Sequence, residues 1–299
     1  EKVADVLGLS ASDIVVCSTG LIGEQLPMDK ILPGVEAAAA ALNYDGGAAA
    51  ATAIMTTDTV SKEASWTSAP NNEGLTYTIG GMAKGAGMLA PGLATMLVVI
   101  TTDAVVQPDG LDASLRDAVR ISFNRADSDG CMSTNDTVAL LASGASTVFP
   151  DMEEFTSGLS YVCSTLARAL IADAEGAHHD ISISTVNADS ERDAEVVSRA
   201  VARSNLFKCA IFGNDPNWGR VLSAVGTTDA VFDPNEINVS INGVQICRKG
   251  GIGDSRELVD LKNREVLVEI DLRAGSSEAT IWTNDLTHDY VEENSAYSS

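Results

Sequence analysis

The sequence lacks closely spaced cysteines. Its five cysteines are odd in number and include no C-x-x-C pair: Cys17, Cys131, Cys163, Cys209 and Cys247. This spacing argues against the disulfide framework of small secreted domains and predicts reduced, mostly buried thiols in an intracellular protein. Histidine is equally scarce, with one adjacent pair and one remote residue, so no zinc-binding pattern is present and no metal site is expected.

Basic residues and long apolar runs are also scarce. Nineteen Lys and Arg stand against 42 Asp and Glu, which gives a formal net charge of −23. Such a charge repels nucleic acid phosphates, so no nucleic acid partner is expected. Because no apolar run approaches the roughly 20 residues that span a bilayer, no membrane partner is expected either. The 299 residues, 45% of them hydrophobic, predict a soluble globular protein with one large domain or two smaller ones.

The sequence contains no Walker loop, no G-x-S-x-G elbow and no dinucleotide fingerprint between a strand and a helix. These absences make nucleotide and flavin enzymes poor alternatives.

Apolar and polar patterns along the chain predict a mixture of helices and strands. Helices are predicted over 2–8, 35–42, 155–172 and 190–202. Strands are predicted over 14–17, 53–58, 98–103, 237–241, 266–272 and 279–283. The pair Asn135-Asp136 predicts an N-cap, followed by a buried helix over 137–142. Because the elements do not follow strict βαβ alternation, we expect an α+β fold with helices packed on largely antiparallel sheets.

A glycine-dense, almost uncharged segment runs from Gly80 to Ala94 and leads directly into Thr95 and the apolar run 96–100. Its glycines lower the steric cost of unusual backbone angles, and the run after it is typical of a buried strand. A threonine becomes a nucleophile when a base lies next to it, and cleavage of the preceding peptide would free its own α-amino group as that base. An ordinary threonine that begins a strand is the alternative interpretation.

Six regions of the chain, in order, resemble the ornithine acetyltransferase family, the bifunctional glutamate N-acetyltransferases of arginine biosynthesis. They are CSTGLIGE (17–24), KGAGMLAP with LATML (84–91 and 93–97), MSTNDT (132–137), AEGA (174–177), FGNDPNWGR (212–220) and NSAYSS (294–299). Several ordered motifs are far more specific than one glycine pattern, and together they span nearly the whole chain.

The resemblance implies a self-cleaving acetyltransferase. Thr95 would attack the Ala94 carbonyl, and the chain would be cleaved between these two residues. The new N-terminal threonine would take an acetyl group from N-acetyl-L-ornithine and pass it to L-glutamate by a ping-pong mechanism. Thr19 and Gly20 match the oxyanion-hole residues of the family, although a simple turn at the end of a strand is the alternative. No cofactor is implied, and acetyl-CoA stays open as a second donor.

The family's substrate-binding positions correspond to Thr19, Lys84, Thr95, Glu175, Asn294 and Ser299. Lys84 is an isolated cation among glycines, which suits a substrate carboxylate, whereas a solvent-facing lysine is the alternative. Glu175 matches a position that holds the amino group of ornithine, and its alternative is an exposed carboxylate at a helix end. After Glu175-Gly176-Ala177 the family usually continues with threonine and lysine, so His178-His179 predicts a different rim of the substrate pocket.

The resemblance also implies an αββα-type sandwich like the DmpA/ornithine acetyltransferase fold, with a smaller C-terminal α/β portion. Residues 1–94 would form the C-terminal part of an α piece whose N-terminal segment is missing, and 95–299 a β piece that begins at the nucleophile. An α2β2 heterotetramer in the cytoplasm is the expected assembly.

Two other functions stay open at the level of sequence. One is an N-terminal-nucleophile amidohydrolase or aminopeptidase of the same architecture, which would pass the acyl group to water. The other is a non-catalytic binding or assembly protein that keeps the fold without cleavage.

Overall fold

The computed structural model describes residues 1–21, 23–87 and 96–296. Within those ranges it contains nine α-helices and ten β-strands. The helices are α1 (Lys2–Leu7), α2 (Met28–Ala40), α3 (Gly47–Ala53), α4 (Pro108–Arg120), α5 (Met152–Ala172), α6 (Glu191–Ala202), α7 (Asn205–Phe212), α8 (Trp218–Val225) and α9 (His288–Ala296). The strands are β1 (Lys62–Thr67), β2 (Thr78–Lys84), β3 (Leu97–Thr102), β4 (Thr137–Ala142), β5 (Asp180–Ala188), β6 (Asn238–Ile241), β7 (Val244–Arg248), β8 (Gly251–Ile252), β9 (Glu265–Asp271) and β10 (Ser277–Asn284).

The first sheet has four strands in the order β1, β2, β3, β4. Strand β2 is antiparallel to both β1 and β3, whereas β3 and β4 run parallel. Lys84, the last residue of β2, therefore stands opposite Leu97, the first residue of β3, which in turn stands opposite Thr137 of β4. The C-terminal end of β2 and the N-terminal ends of β3 and β4 meet at one edge of the sheet.

Helix α5 covers one face of this first sheet. Its buried side chains Leu159, Val162 and Leu166 recur at the three- and four-residue spacing of an amphipathic helix. They share one core with Ile79 of β2 and Ile100 of β3. Full burial of each such aliphatic side chain contributes roughly 1.5–3 kcal/mol, so the long apolar side of α5 anchors the sheet.

The second sheet has six strands in the order β10, β5, β9, β6, β7, β8. Only β5 and β9 run parallel to each other within it. Val197 and Val201 of α6 and Val221 of α8 share a second core with Ile183 of β5 and Ile281 of β10. This core lies in the part of the chain after residue 180 and supports the C-terminal strands.

The predicted α+β class is confirmed. Six of the eight strand pairings in the described ranges are antiparallel. The helices predicted over 35–42, 155–172 and 190–202 correspond to α2, α5 and α6. Ser190 caps α6 by accepting a hydrogen bond from the Asp193 backbone N–H at 3.1 Å, as the capping pattern predicts. The strands predicted over 98–103, 237–241, 266–272 and 279–283 correspond to β3, β6, β9 and β10.

The helix predicted over 137–142 is wrong, because this segment forms β4. A six-residue apolar run fits a buried strand and a buried helix equally well, so the neighbouring chain decides. Here β3 offers a parallel partner, and the Thr137 N–H donates to the Met96 carbonyl at 3.0 Å. The carboxylate of Asp136 also contacts Met96 instead of capping a helix.

The strands predicted over 14–17 and 53–58 are not formed. Val15 and Val16 are exposed, and none of the described strands pairs with this segment. In the second segment, α3 continues to Ala53 because the alanine-rich sequence before it favours a helix. A turn then follows, in which the Asp58 carboxylate accepts a hydrogen bond from a backbone N–H two residues earlier.

The prediction of mostly buried thiols is also wrong. All five cysteines are unpaired, but two of them are buried, Cys163 and Cys247, and two are exposed, Cys131 and Cys209. None of the helices in the described ranges is long and apolar enough to cross a membrane.

The contact between α5 and β1 gives a test of this packing. A Cβ atom added to Gly158 would lie 2.5 Å from Cε3 of Trp66, a rigid ring. Overpacking of this kind costs about 1–3 kcal/mol, which outweighs the roughly 1 kcal/mol that alanine gains over glycine within a helix. We expect Gly158→Ala to lower the free energy of unfolding in denaturant titrations.

The matched control is Gly34→Ala in α2, where an added Cβ meets no atom within 4 Å. We expect this second variant to raise the free energy of unfolding by up to about 1 kcal/mol. A Gly158→Ala variant whose free energy of unfolding rose as that of the control does would contradict the tight packing of α5 on β1.

Candidate active site

Lys84 closes β2 and is almost completely buried, with 2% of its surface exposed. Its Nζ donates to Thr56 Oγ1 at 2.8 Å and lies 3.9 Å from Asp58 Oδ2. Burial lowers the pKa of Lys84, while the charges of Asp58, Glu175 and Asp136 act in the opposite direction. The alternative of a solvent-facing lysine is therefore wrong, and the cation lies among carboxylates.

The Asp58 side chain is fully buried and binds several groups at once. Its Oδ1 accepts hydrogen bonds from the Gly85 N–H and from Lys62 Nζ, both at 2.7 Å. Its Oδ2 accepts from the Thr56 N–H at 3.2 Å and faces Lys84. Burial by itself would raise the pKa of Asp58, but these hydrogen bonds and the Lys62 charge lower it below its ordinary value. Asp58 thus ties the turn after α3 to the end of β2.

Lys62 extends this network to the loop after α5. Its Nζ lies 2.5 Å from Asp173 Oδ2 as well as 2.7 Å from Asp58 Oδ1. Asp173 also accepts a hydrogen bond from the Thr59 N–H at 3.0 Å. A buried cation is tolerated when it is paired and hydrogen-bonded, and both conditions hold here. The loop that carries Glu175 is therefore anchored two residues before that side chain.

Glu175 is buried and lies against the glycine-rich segment. Its backbone N–H donates to the Ala86 carbonyl at 2.8 Å. A Cβ atom on Gly87 would lie 2.6 Å from Glu175 Oε2, so the carboxylate occupies space that the glycine leaves open. The next residue, Gly176, has a φ of +62°, and α9 passes close to it at Tyr290. The alternative of an exposed carboxylate at a helix end is wrong.

Asp136 and Asp58 are site residues that sequence reasoning did not single out. Asp136 Oδ1 accepts a hydrogen bond from the Met96 N–H at 2.7 Å, directly before β3. Beside it, Asn135 Nδ2 donates to the Ser18 carbonyl at 3.0 Å, which draws the predicted oxyanion-hole segment to the same edge of the sheet. The sequence does contain a signal for each residue. Asp58 ends a Thr-Thr-Asp cluster after an apolar run, and Asp136 ends a Ser-Thr-Asn-Asp cluster before one.

The structure brings together only part of the predicted site. Lys84 and Glu175 lie close enough for their charges to interact. Thr19 is half-buried and Gly20 exposed, and neither belongs to a regular element. Asn294 is exposed on α9, where its Nδ2 donates to a carbonyl of the same helix at 2.9 Å. Three predicted site residues lie outside the described residues: Ala94, Thr95 and Ser299.

The two histidines after Ala177 have structural partners. His179 is buried and its Nδ1 lies 2.7 Å from Asp285 Oδ2. His178 is more exposed, and its Nε2 lies 2.7 Å from Asp289 Oδ2 at the start of α9. His178 therefore joins the loop after Glu175 to α9, and His179 joins it to the segment between β10 and α9. In the part of the chain that the structure describes, no group of three or more His, Cys, Asp or Glu side chains could hold a metal ion.

Comparisons with known proteins agree along the whole chain. The ArgJ family model matches residues 1–299. The arginine biosynthesis bifunctional protein ArgJ of Streptomyces coelicolor is 62% identical over 299 residues, which cover 100% of this chain and 76% of that protein. The protein of the same name from Thermobifida fusca is also 62% identical with the same coverage. That of Bifidobacterium longum is 52% identical over 305 residues, covering 100% of this chain and 77% of that protein.

A solved structure is similar as well. The crystal structure of arginine biosynthesis bifunctional protein ArgJ from Bacillus halodurans superposes with a TM-score of 0.64 and 31% sequence identity. The match covers 67% of this chain and 98% of the solved chain.

The buried network predicts a large loss of stability for Asp58→Ala. Removing one partner of a buried ion pair typically costs about 3–5 kcal/mol, because the remaining charges stay buried without compensation. Since the folded state lowers the pKa of Asp58, its contribution is complete above the ordinary value of 3.8 and is lost as the pH falls through the lower folded value. We expect the difference in unfolding free energy from wild type to be large at pH 7 and to shrink below pH ~4.

The control is Asp112→Ala, which removes a carboxylate paired with Arg116 on the exposed surface of α4. Exposed pairs contribute little, so the denaturation midpoint should stay near that of wild type. If Asp58→Ala were as harmless as the control at pH 7, the structural importance of the buried network would be refuted.

Proposed function

Because this chain belongs to the ArgJ family, we propose that it is a bifunctional acetyltransferase of arginine biosynthesis that moves an acetyl group from N-acetyl-L-ornithine to L-glutamate. The observation that carries the proposal is the meeting of three groups at one edge of the first sheet. These are the buried cation of Lys84, the buried carboxylate of Glu175 and the backbone of Met96, which follows Thr95 directly.

The nucleophile is made by cleavage of the chain. Thr95 Oγ attacks the carbonyl carbon of Ala94, the peptide C–N bond breaks, and the threonine nitrogen takes a proton, which leaves an ester between the two residues. Water then hydrolyses the ester to the Ala94 carboxylate and the Thr95 hydroxyl. The freed α-amino group of Thr95 acts as the base for its own hydroxyl in the transfer reaction.

Acetyl transfer repeats the same chemistry in two halves. Thr95 Oγ attacks the acetyl carbonyl of N-acetylornithine, the amide bond breaks, and ornithine leaves with the proton on its nitrogen. The amine of glutamate then attacks the acetyl ester, N-acetylglutamate leaves, and the Thr95 hydroxyl regains its proton. Donors at Thr19 and Gly20 stabilise the oxyanion in each half. No cofactor is needed, and acetyl-CoA would load the same hydroxyl as a second donor.

Charge at the site supports an amino-acid substrate. N-acetylornithine has one carboxylate and one ammonium group, and the site offers a cation and an anion in Lys84 and Glu175. We assign Lys84 to the substrate carboxylate and Glu175 to the ammonium group of ornithine. Asn294 and Ser299 would add polar contacts from the C-terminal end of the chain.

The topology supports two pieces that stay together. We propose that 1–94 and 95–299 are separate chains in the mature enzyme, and that two of each form an α2β2 heterotetramer in the cytoplasm. Strand β2 would belong to the first piece and β3 to the second, so their six paired positions would hold the pieces in one sheet after cleavage.

The first prediction of this function concerns the cleavage itself. Intact-mass measurement of the purified full-length protein should show two pieces, one ending at Ala94 and one beginning at Thr95, that co-elute on size exclusion. Thr95→Ala should give a single chain because it has no hydroxyl to attack. Thr101→Ala, an exposed threonine of β3, is the control and should be cleaved like wild type. A folded wild-type protein that stays uncut would refute the mechanism.

The second prediction concerns the order of the transfer steps. A ping-pong enzyme forms its acetyl-threonine before glutamate binds, so labelled ornithine should exchange into N-acetylornithine without glutamate present. Initial rates against both substrates should give parallel double-reciprocal lines. Exchange that requires glutamate would indicate a ternary complex instead. Release of free acetate in place of N-acetylglutamate would indicate a hydrolase of the same architecture.

A further inference from the structure

The backbone of Met96 is held on both sides. Its N–H donates to Asp136 Oδ1 at 2.7 Å, and its carbonyl accepts from the Thr137 N–H at 3.0 Å. Its side chain is buried in the core that α5 and the first sheet share. Met96 follows Thr95 directly in the chain, so these contacts restrain the residue next to the proposed nucleophile.

The second carboxylate oxygen of Asp136 has a different environment. Oδ2 is buried and has no hydrogen-bond partner among the described residues. A buried acceptor without a hydrogen-bond partner destabilises the folded protein, and a catalytic role is one explanation for such an atom. In the proposed reaction the neighbouring residue supplies a donor, first as the Thr95 hydroxyl and after cleavage as the N–H of the free α-amino group.

Asp136 interacts electrostatically with Lys84, the last residue of β2, and Lys84 interacts in turn with Asp58 and Glu175. Burial raises the pKa of Asp136 to about 6, against the opposing effects of the Met96 and Ser133 N–H groups and of Lys84. The carboxyl group therefore changes its charge just below neutral pH.

We propose, on the basis of the function proposed above, that Asp136 is the positioning residue of Thr95. Its Oδ1 holds the peptide after the nucleophile through the Met96 amide, and its ionised Oδ2 accepts a hydrogen bond from the threonine in the active form. The two oxygens thus have separate roles. The hydrogen bond from the Met96 N–H to Oδ1 persists when the carboxyl group is protonated, whereas the hydrogen bond from Thr95 to Oδ2 requires the carboxylate.

Two substitutions separate these roles. Asp136→Asn keeps an oxygen for the Met96 N–H but replaces the ionised oxygen with an amide nitrogen. Asp136→Ala removes both. The control is Asp193→Asn on α6, a buried carboxylate that also accepts a backbone N–H, from Val231 at 3.1 Å, but lies in the other core.

The pH dependence of transfer tests the second oxygen. We expect wild type and Asp193→Asn to lose activity as the pH falls through about 6. Asp136→Asn should be slower by about tenfold above that pH, as expected for loss of a hydrogen bond to a charged group, and should lack the inflection. An Asp136→Asn enzyme with the wild-type rate and profile would overturn this part of the proposal.

Hydrogen exchange of the Met96 amide tests the first oxygen without any catalysis. The exchange rate is measured in the uncleaved Thr95→Ala chain and does not depend on cleavage or activity. A wild-type protein that is neither cleaved nor active would refute the proposed function, but it would leave this measurement valid. Asp136→Ala should speed exchange at Met96 by about tenfold or more, whereas Asp136→Asn should leave it slow. Unchanged protection in a folded Asp136→Ala chain would overturn the positioning role.

Discussion

The candidate site depends on one buried carboxylate, that of Asp58. It lies between the side chains of Lys62 and Lys84, both of which are withdrawn from water, and it also binds the Gly85 amide. Burial of an ammonium group is compensated by a nearby anion, and the Asp58 carboxylate is such an anion for both lysines. Through Lys62 the same carboxylate is coupled to Asp173 and so to the loop of Glu175. The cation and the anion proposed to bind substrate are therefore held in place by one ion-pair network.

The second constraint is the direction of the strands. Because β2 is antiparallel to β3 and β3 is parallel to β4, the end of one strand and the beginnings of two others meet at a single edge. This arrangement brings Lys84, Met96 and Asp136 together although up to 52 residues separate them in the chain. The Glu175 carboxylate also lies near this edge, because Gly87 has no side chain and its backbone can approach the carboxylate closely. The same pairing gives a cleaved chain a way to remain one folded unit.

Much of the fold and part of the site could be predicted from the sequence. Long amphipathic helices such as α5 and α6 were predictable because periodicity over many residues is a strong signal. Lys84 and Glu175 could be singled out by the family resemblance and by the isolation of a lysine among glycines. The sequence pattern places Asp136 and Asp58 in the wrong elements, since a short apolar run does not specify helix or strand without its neighbours. Their roles arise from contacts with residues distant in the chain.

The sequence by itself determined the α+β class, the family and the order of the motifs, because these follow from local patterns that remain readable in an unfolded chain. Tertiary structure alone decided that Lys84 and Glu175 are buried, that 137–142 pairs as a strand, and that His178 joins a loop to α9. Burial, pairing direction and ion-pair compensation are properties of groups that meet only when the chain is folded. The chemistry of this edge therefore depends on contacts that no local pattern specifies.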